Sequence, residues 1–203
     1  MQEYGISARL TFSNSLLQEE HLSDKKCNTL CTLFEKGGTV QNGVIVHSDL
    51  LLSYLKRQYP GLYLVSSTTK VLTEFEQFRD ELKRDEFQYV VPDFRLNKRF
   101  EDLHTLTDEQ KAKVEFLCNE CCWFGCKDRK VCYEDVSRKA LGIKAPDHRC
   151  TAPESEQGYR FSKAMSNPGF IGVDAICRWD FPISRLKDAD WEVRWCWNSC
   201  FIT

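Results

Sequence analysis

The sequence has no apolar run of the length that a membrane-spanning helix needs, and it carries almost no net charge. A spanning helix requires about 20 consecutive apolar residues, and no apolar stretch here approaches that length. The formal net charge is −2, so no general basic field favours nucleic-acid binding. A basic region followed by an apolar one is also missing from the amino-terminal stretch. These absences predict a cytoplasmic protein with no signal peptide and no membrane association.

Several catalytic motifs are missing as well. No Gly-x-Gly-x-x-Gly or Walker loop occurs, so no nucleotide cofactor is implied. No Gly-x-Ser-x-Gly elbow occurs either, which gives no support to a serine hydrolase. At 203 residues the chain is predicted to form one domain, residues 1–203, with a core large enough to need no disulfides.

Cysteine, by contrast, is abundant. The chain has eleven cysteines, and five of them lie within residues 118–132. In a reducing compartment, clustered cysteines bind metals or do chemistry more often than they form disulfides. An odd number of cysteines also fits a disulfide framework poorly. The cluster therefore predicts a metal or cofactor site, and packing as small hydrophobic residues is the alternative.

Strand-like and helix-like stretches alternate over residues 1–120. Apolar residues recur at helical spacing between β-rich runs, for example at Leu72, Phe75, Phe78 and Leu82. The predicted strands lie at roughly 8–12, 43–47, 62–66, 88–92 and 113–118. Such regular alternation predicts an α/β fold whose strands are parallel in one sheet, with their polar ends on one rim.

This regularity ends after Glu120. Residues 121–168 combine cysteines, charges and turn-forming residues with little periodicity, which predicts an irregular cysteine-rich insertion. Residues 169–203 are predicted to add a final helix and strand with a Trp-rich tail.

Polar side chains follow the predicted strands at their carboxyl ends. In a parallel αβ barrel, functional residues gather at that end of the strands. Asp93 and Arg95 are predicted to form a fixed charged pair there, while Asp49 and Thr69 could instead cap helices. The candidate catalytic residues are Asp93, Arg95, Asn119 and Glu120.

Four cysteines of the insertion are the candidate metal ligands. They are Cys122, Cys126, Cys132 and Cys150. Four thiolates can hold a four-iron four-sulfur cluster or a tetrahedral zinc ion. The Cys-x-x-x-Cys spacing is also typical of radical SAM enzymes, but Arg129 occupies the position that their third cysteine would need.

Three motifs within residues 7–140 resemble a known family, the collagenase-like peptidases (family U thirty-two of the protease classification) and their bacterial relatives. The first is Ser66-Ser67-Thr68-Thr69 after the third strand, and the second is Asp93-Phe94-Arg95-Leu96-Asn97 after the fourth. The third is Asn119-Glu120 with Cys122 and Cys126.

The resemblance implies a (β/α)8 TIM-like barrel. It also implies a four-iron four-sulfur cluster on the four cysteines, serving an oxygen-independent hydroxylase that acts on quinone precursors or RNA bases. Its substrate here is thus expected to be a small molecule or RNA. A non-enzymatic, zinc-stabilised binding or scaffold protein is the alternative.

The sequence departs from the family pattern in two respects. A complete barrel needs about 250 residues, so this chain is expected to form an incomplete or modified barrel that begins after the first one or two βα units. A second copy or a partner chain would then complete it. In addition, Cys132-Tyr133 stands where relatives often have His-Tyr.

Overall fold

The computed structural model describes residues 4–117, 122 and 124–146 of the chain. In this part the strands are β1 Arg9–Phe12, β2 Gly43–Val46, β3 Tyr63–Ser66 and β4 Tyr89–Val90. The α-helices are α1 Lys25–Lys36, α2 Asp49–Gln58, α3 Phe75–Leu82, α4 Phe100–His104, α5 Asp108–Lys113 and α6 Arg129–Ala140. Short 3-10 helices occur at Glu19–Ser23, Thr68–Lys70 and Phe94–Leu96.

The four strands form one parallel sheet in the order β1-β2-β3-β4. Arg9 pairs with Gly43, Gly43 pairs with Tyr63, and Val65 pairs with Tyr89. The predicted α/β class and the parallel direction of these strands are thus confirmed. The predicted fifth strand is represented, within the described residues, by a single parallel bridge between Val90 and Val114.

Local sequence signals fix the helix boundaries. Asp24 caps α1 by accepting a hydrogen bond from the Cys27 backbone N–H at 2.7 Å, and Gly37 follows its last residue. Thr107 and Gln110 form a capping box at the start of α5. Side-chain oxygens satisfy helix N–H groups that would otherwise lack partners, so these residues define where each helix begins.

The main hydrophobic core lies between the sheet and the helices. Val44, Val46, Leu64 and Val90 point from the strands toward the helical layer and are at most 4% exposed. The helices contribute Cys31, Leu51, Leu52, Leu55, Phe75, Phe78 and Leu82 to the same cluster. Alternation along each strand puts the intervening residues on the opposite face.

That opposite face holds a second apolar cluster. It consists of Ile45, Tyr63, Val65, Tyr89, Val91 and Leu117. All six side chains are buried, as a parallel sheet requires of both its faces. The central strands β2 and β3 are accordingly buried at every position.

An ion pair crosses this second face and requires the sheet to be curved. Arg9 Nη1 donates to both carboxylate oxygens of Glu115, at 2.6 and 2.7 Å. Glu115 follows the Val114 bridge and therefore lies four strand spacings from β1, about 19 Å in a flat sheet. Extended Arg and Glu side chains joined by a hydrogen bond reach only about 14 Å. The sheet is thus concave on the side of the second cluster.

The Tyr63 ring lies across β2 on the concave face. Its hydroxyl accepts a hydrogen bond from Arg9 Nε at 2.8 Å and lies 2.8 Å from Ser7 Oγ. The ring occupies the space beside Gly43, where a Cβ atom would come within 2.3 Å of a ring carbon. Gly43 is therefore required by the close approach of the ring.

Helix α6 lies within residues 121–168, which the sequence predicts to be irregular. Its buried residues are Arg129, Asp135 and Ser137, whereas Val131 and Val136 are 41% and 48% exposed. A helix that buries polar residues and exposes apolar ones has no apolar periodicity to detect. This explains why the sequence pattern missed it.

The remaining predictions for residues 147–203, including the final helix and strand and the Trp-rich tail, lie outside the described residues. In the part of the chain that is described, no helix has the length and apolar character needed to cross a membrane.

We predict that Gly43→Ala destabilises the fold by about 2 kcal/mol, because the new methyl group must displace a ring held by two polar contacts. Gly61→Ala is the matched control, since its Cβ would meet only the flexible Glu35 side chain at 3.0 Å. Chemical denaturation of both variants measures the difference. Equal stability of Gly43→Ala and Gly61→Ala would contradict the packing described for Tyr63.

We also predict that Arg9→Met lowers the free energy of unfolding by about 3 kcal/mol, because it leaves the Glu115 carboxylate buried without its partner. The Glu115 side chain is only 2% exposed. The double variant Arg9→Met/Glu115→Leu should be more stable than Arg9→Met alone.

Glu76→Gln provides the comparison for this ion pair. It removes a pair in which the Glu76 side chain is 72% exposed, so its effect should stay below about 1 kcal/mol. Denaturation midpoints of the variants at one pH test the expectation. If Arg9→Met costs no more than Glu76→Gln, the ion pair does not hold the sheet in its curved form.

Candidate functional site

Polar residues follow the strands at the carboxyl-terminal edge of the sheet. His47 follows β2, Ser67 follows β3, and Asp93 comes shortly after β4. Because the strands are parallel, these residues share one edge, which we call the strand-end rim. This confirms the rim predicted from the sequence for these three strands. Asn119, which the sequence placed on the same rim, lies outside the described residues.

Asp93 and Arg95 form the charged pair that the sequence predicts. Asp93 is fully buried, and its Oδ1 accepts from Arg95 Nε at 2.6 Å while its Oδ2 accepts from Arg95 Nη2 at 2.9 Å. The backbone N–H of Arg95 also donates to Asp93 Oδ1 at 3.1 Å. The hydrogen bonds to Asp93 raise the pKa of the Arg95 guanidinium. The Arg95 guanidinium is thus kept charged, and three hydrogen bonds hold the pair in one geometry.

Arg129 is a second cation at Asp93, and sequence reasoning did not select it as a site residue. Its Nε lies 3.4 Å from Asp93 Oδ2, and its guanidinium carbon lies 4.8 Å from the Phe94 ring centroid and 5.1 Å from that of Tyr133. The structure thus places two guanidinium groups around one carboxylate. Arg129 lies 36 positions after Asp93 in the sequence, and no local pattern links the two.

Two of the four candidate ligand cysteines lie beside this cluster. Arg95 Nη1 donates to the backbone carbonyl of Cys126 at 2.8 Å, and Cys126 is 4% exposed. Cys122 lies close enough to Arg95 that a negative charge on the Cys122 sulfur would help to raise the pKa of the Arg95 guanidinium. The structure therefore brings Cys122 and Cys126 together with the predicted pair.

The other predicted site residues are placed differently. Cys132 is in the first turn of α6 and is partly buried. Asn119, Glu120 and Cys150 lie outside the described residues. Among the residues described, no group of three or more His, Cys, Asp or Glu side chains is arranged to hold a metal ion.

Helix α6 extends across the strand-end rim. At its start Arg129 contacts Asp93, which follows β4. Near its end the Ser137 hydroxyl accepts from the Ser15 backbone N–H at 3.0 Å, and its carbonyl accepts from Asn14 Nδ2 at 3.1 Å, just after β1. A 12-residue helix is about 18 Å long, which is sufficient to join the two ends of the sheet.

A chain of hydrogen bonds lies on the part of the rim that follows β2 and β3, between the two segments that α6 contacts. His47 Nδ1 is 2.9 Å from Thr69 Oγ1, which donates to Ser67 Oγ at 2.9 Å. Burial and the positive charges of Lys70 and Lys130 lower the pKa of His47 below its ordinary value. The imidazole is therefore favoured in its neutral form.

Two capping alternatives are corrected by the structure. Ser48, rather than Asp49, caps α2 by accepting from the Leu51 backbone N–H, and Asp49 instead pairs with Arg84 at 2.8 Å. Thr69 lies within a short 3-10 helix that Ser67 caps. Asp49 thus follows the capping residue of α2 by one position, and Thr69 follows the capping residue of the 3-10 helix by two.

Lys70 has a structural role below the rim. Its Nζ binds Glu81 Oε1 of α3, and the same oxygen accepts from Ser66 Oγ at 2.6 Å. The Glu81 carboxylate is also 3.5 Å from Arg84. This buried network connects the segment after β3 to α3 and so fixes the position of Thr69.

Comparison of the chain with models of protein families, with curated proteins and with solved structures gives no match in any of the three.

We predict that His47 makes the protein less stable as the pH falls through about 6.5. Because the pKa of His47 is lower in the folded state than its ordinary value of 6.5, the unfolded chain binds the proton first as the pH falls. The contribution of the neutral His47 imidazole to the free energy of unfolding is fully present above pH 6.5 and is lost as the pH falls below it.

The variant His47→Gln should show a smaller loss of stability between pH 7.5 and pH 5.5, because glutamine can bond to Thr69 without titrating. His104→Gln is the matched control, since His104 is exposed on α4. Urea denaturation at several pH values measures the effect. Parallel pH profiles for the wild type and His47→Gln would contradict the assignment.

Proposed function

We propose that the curved sheet is part of a (β/α)8 barrel of the kind found in the collagenase-like peptidase family. The short βα units, the shared strand-end rim and the curvature required by the Arg9–Glu115 pair all support this. Such a barrel needs further strands beyond the outer edge of β1, which has no strand partner among the described residues. These would come from the rest of the chain, a second copy or a partner chain.

The function we propose is that of an iron–sulfur-dependent, hydroxylase-like redox protein of the cytoplasm. The observation that carries the proposal is the position of Cys122 and Cys126 beside the Asp93–Arg95 pair at the strand-end rim. A barrel enzyme has its chemistry at this end of the strands. Cys132 and Cys150 would supply the remaining two thiolates.

The charge of the site suits a thiolate-bound cluster. Thiolate ligands bring negative charge to one place, and the reduction potential of a cluster depends on its net charge and on hydrogen bonds near it. The positive charges of Arg95 and Arg129 lie close to this position and would offset part of that negative charge. The cluster, when bound, would supply or accept electrons.

The side chains around the rim would bind the substrate. The fixed Asp93–Arg95 pair would orient a polar group of a small molecule or an RNA base through charge-assisted hydrogen bonds. Asn119 and Glu120, two residues of the family-like motif, would face the same substrate. Burial of Asp93 excludes water from the pair and so strengthens its electrostatic effect.

The proposal is tested by purifying the full chain without oxygen and measuring its absorption spectrum, iron, acid-labile sulfide and zinc. We expect a brown protein with about four irons and four sulfides per chain. A colourless protein with one zinc ion would instead support the zinc-stabilised scaffold. A chain with neither metal would reject both.

The ligand assignment is tested with single Cys→Ser variants. Serine at Cys122, Cys126, Cys132 or Cys150 should each lower the bound metal at least several-fold, because each removes one thiolate ligand. Cys27→Ser, on α1, is the control and should retain the wild-type metal content. Full metal content in all four variants would show that other residues bind the metal.

A further inference from the structure

A cavity of about 330 Å³ lies between α1, α2 and α6, next to the end of β1. We call it the α6 cavity. Cys27 and Cys31 line it from α1, and Tyr133 and Val136 line it from α6. A cavity of this volume is within the range that small-molecule sites occupy in proteins.

The walls of the α6 cavity carry no permanent charge. None of its 18 lining residues is Asp, Glu, Lys or Arg, although these types make up 29% of the chain. At that frequency about five of the 18 residues would be charged. The walls are mainly apolar, with Phe12, Leu17, Leu22, Leu51 and Leu55 among them.

Most polar groups in the walls are already bonded within the protein. Asn28 Oδ1 accepts from the hydroxyls of Tyr54 and Tyr59, at 2.7 and 2.8 Å, and Asn28 Nδ2 donates to the Leu22 carbonyl at 2.8 Å. The Ser137 hydroxyl is bonded to Ser15. The walls therefore offer a ligand mostly apolar surface.

The two thiols in the wall are also neutral. Burial raises the pKa of Cys31 to about 11, and burial together with the nearby Asp24 raises the pKa of Cys27. Both groups stay protonated at neutral pH and behave as small apolar side chains. Neither thiol gives the cavity a charge or a strong nucleophile.

We propose that the α6 cavity binds a neutral, largely apolar small molecule of about 15 non-hydrogen atoms, which is the number that fits this volume at protein packing density. A charged ligand would lose its hydration and find no Asp, Glu, Lys or Arg side chain in the walls to pair with. The half-exposed Val136 lies where the cavity opens along α6. Asp93, Arg95 and Arg129 do not line this cavity, and the site does not depend on a bound metal.

The test uses the neutral fluorescent probe N-phenyl-1-naphthylamine with the full chain. We expect saturable one-to-one binding with increased, blue-shifted emission. Val136→Trp should weaken binding at least tenfold, because the indole would occupy the cavity. Val131→Trp is the matched control: it is on the same helix and exposed, but it does not line the cavity.

Each result decides the proposal once circular dichroism shows that both variants are folded. Loss of binding in Val136→Trp alone supports the site. No binding to the wild type, equal binding by Val136→Trp and the wild type, or equal loss in both variants would overturn it. Metal content is measured separately, so failure here leaves the proposed cluster unaffected.

A second measurement follows alkylation of individual cysteines by N-ethylmaleimide at pH 8.5, read by mass spectrometry. Saturating probe should slow modification of Cys27, which lines the cavity, at least fivefold. It should leave the alkylation rate of N-acetylcysteine, a free thiol added to the same solution, unchanged. Equal rates at Cys27 with and without probe would place the bound probe elsewhere and overturn the proposal.

Discussion

The curvature of the sheet depends on an ion pair between residues that are far apart in the sequence. Arg9 and Glu115 form a hydrogen-bonded ion pair across the concave face. The Tyr63 hydroxyl bonds to Arg9, and the Tyr63 ring fills the space that a side chain at position 43 would occupy. Because the strands are parallel and short, the tilt of each strand sets where its carboxyl end lies. The relative positions of His47, Ser67 and Asp93 therefore depend on contacts made across the concave face of the sheet.

Helix α6 joins the two edges of the strand-end rim and separates two different environments. At its start, Arg129 packs against Asp93 and Phe94 in a cluster dominated by charge. In its second half, Val136 lines a cavity whose walls contain no Asp, Glu, Lys or Arg side chain. One helix therefore borders both a charged cluster and the cavity that we propose binds a neutral apolar molecule.

The cysteines show how strongly the surroundings determine thiol chemistry. Cys31 is enclosed by apolar groups, and its pKa is raised to about 11, so it packs as a core residue. Cys122 instead lies within electrostatic range of the Arg95 guanidinium, beside a charged cluster. Neither residue type nor spacing distinguishes these two thiols in the sequence, because each belongs to a pair of cysteines with three residues between them.

The sequence by itself determined the order of β1 to β4 and of the helices between them, the parallel direction of these strands, and the rim residues His47, Ser67 and Asp93. These features follow from contacts that are close in the sequence: apolar periodicity, helix caps, and the two-residue separation that lets Arg95 reach Asp93.

Only the tertiary structure decided the curvature, the course of α6 and the α6 cavity. Arg9 and Glu115 are separated by 106 positions, and Asn14 meets Ser137 across 123, so no periodic pattern connects them. The buried face of α6 is polar because its partners are Asp93, Asn14 and Ser15 rather than an apolar core. A pattern of apolar residues indicates which side chains are buried away from water. It does not indicate which polar side chains are buried with hydrogen-bonding or charged partners.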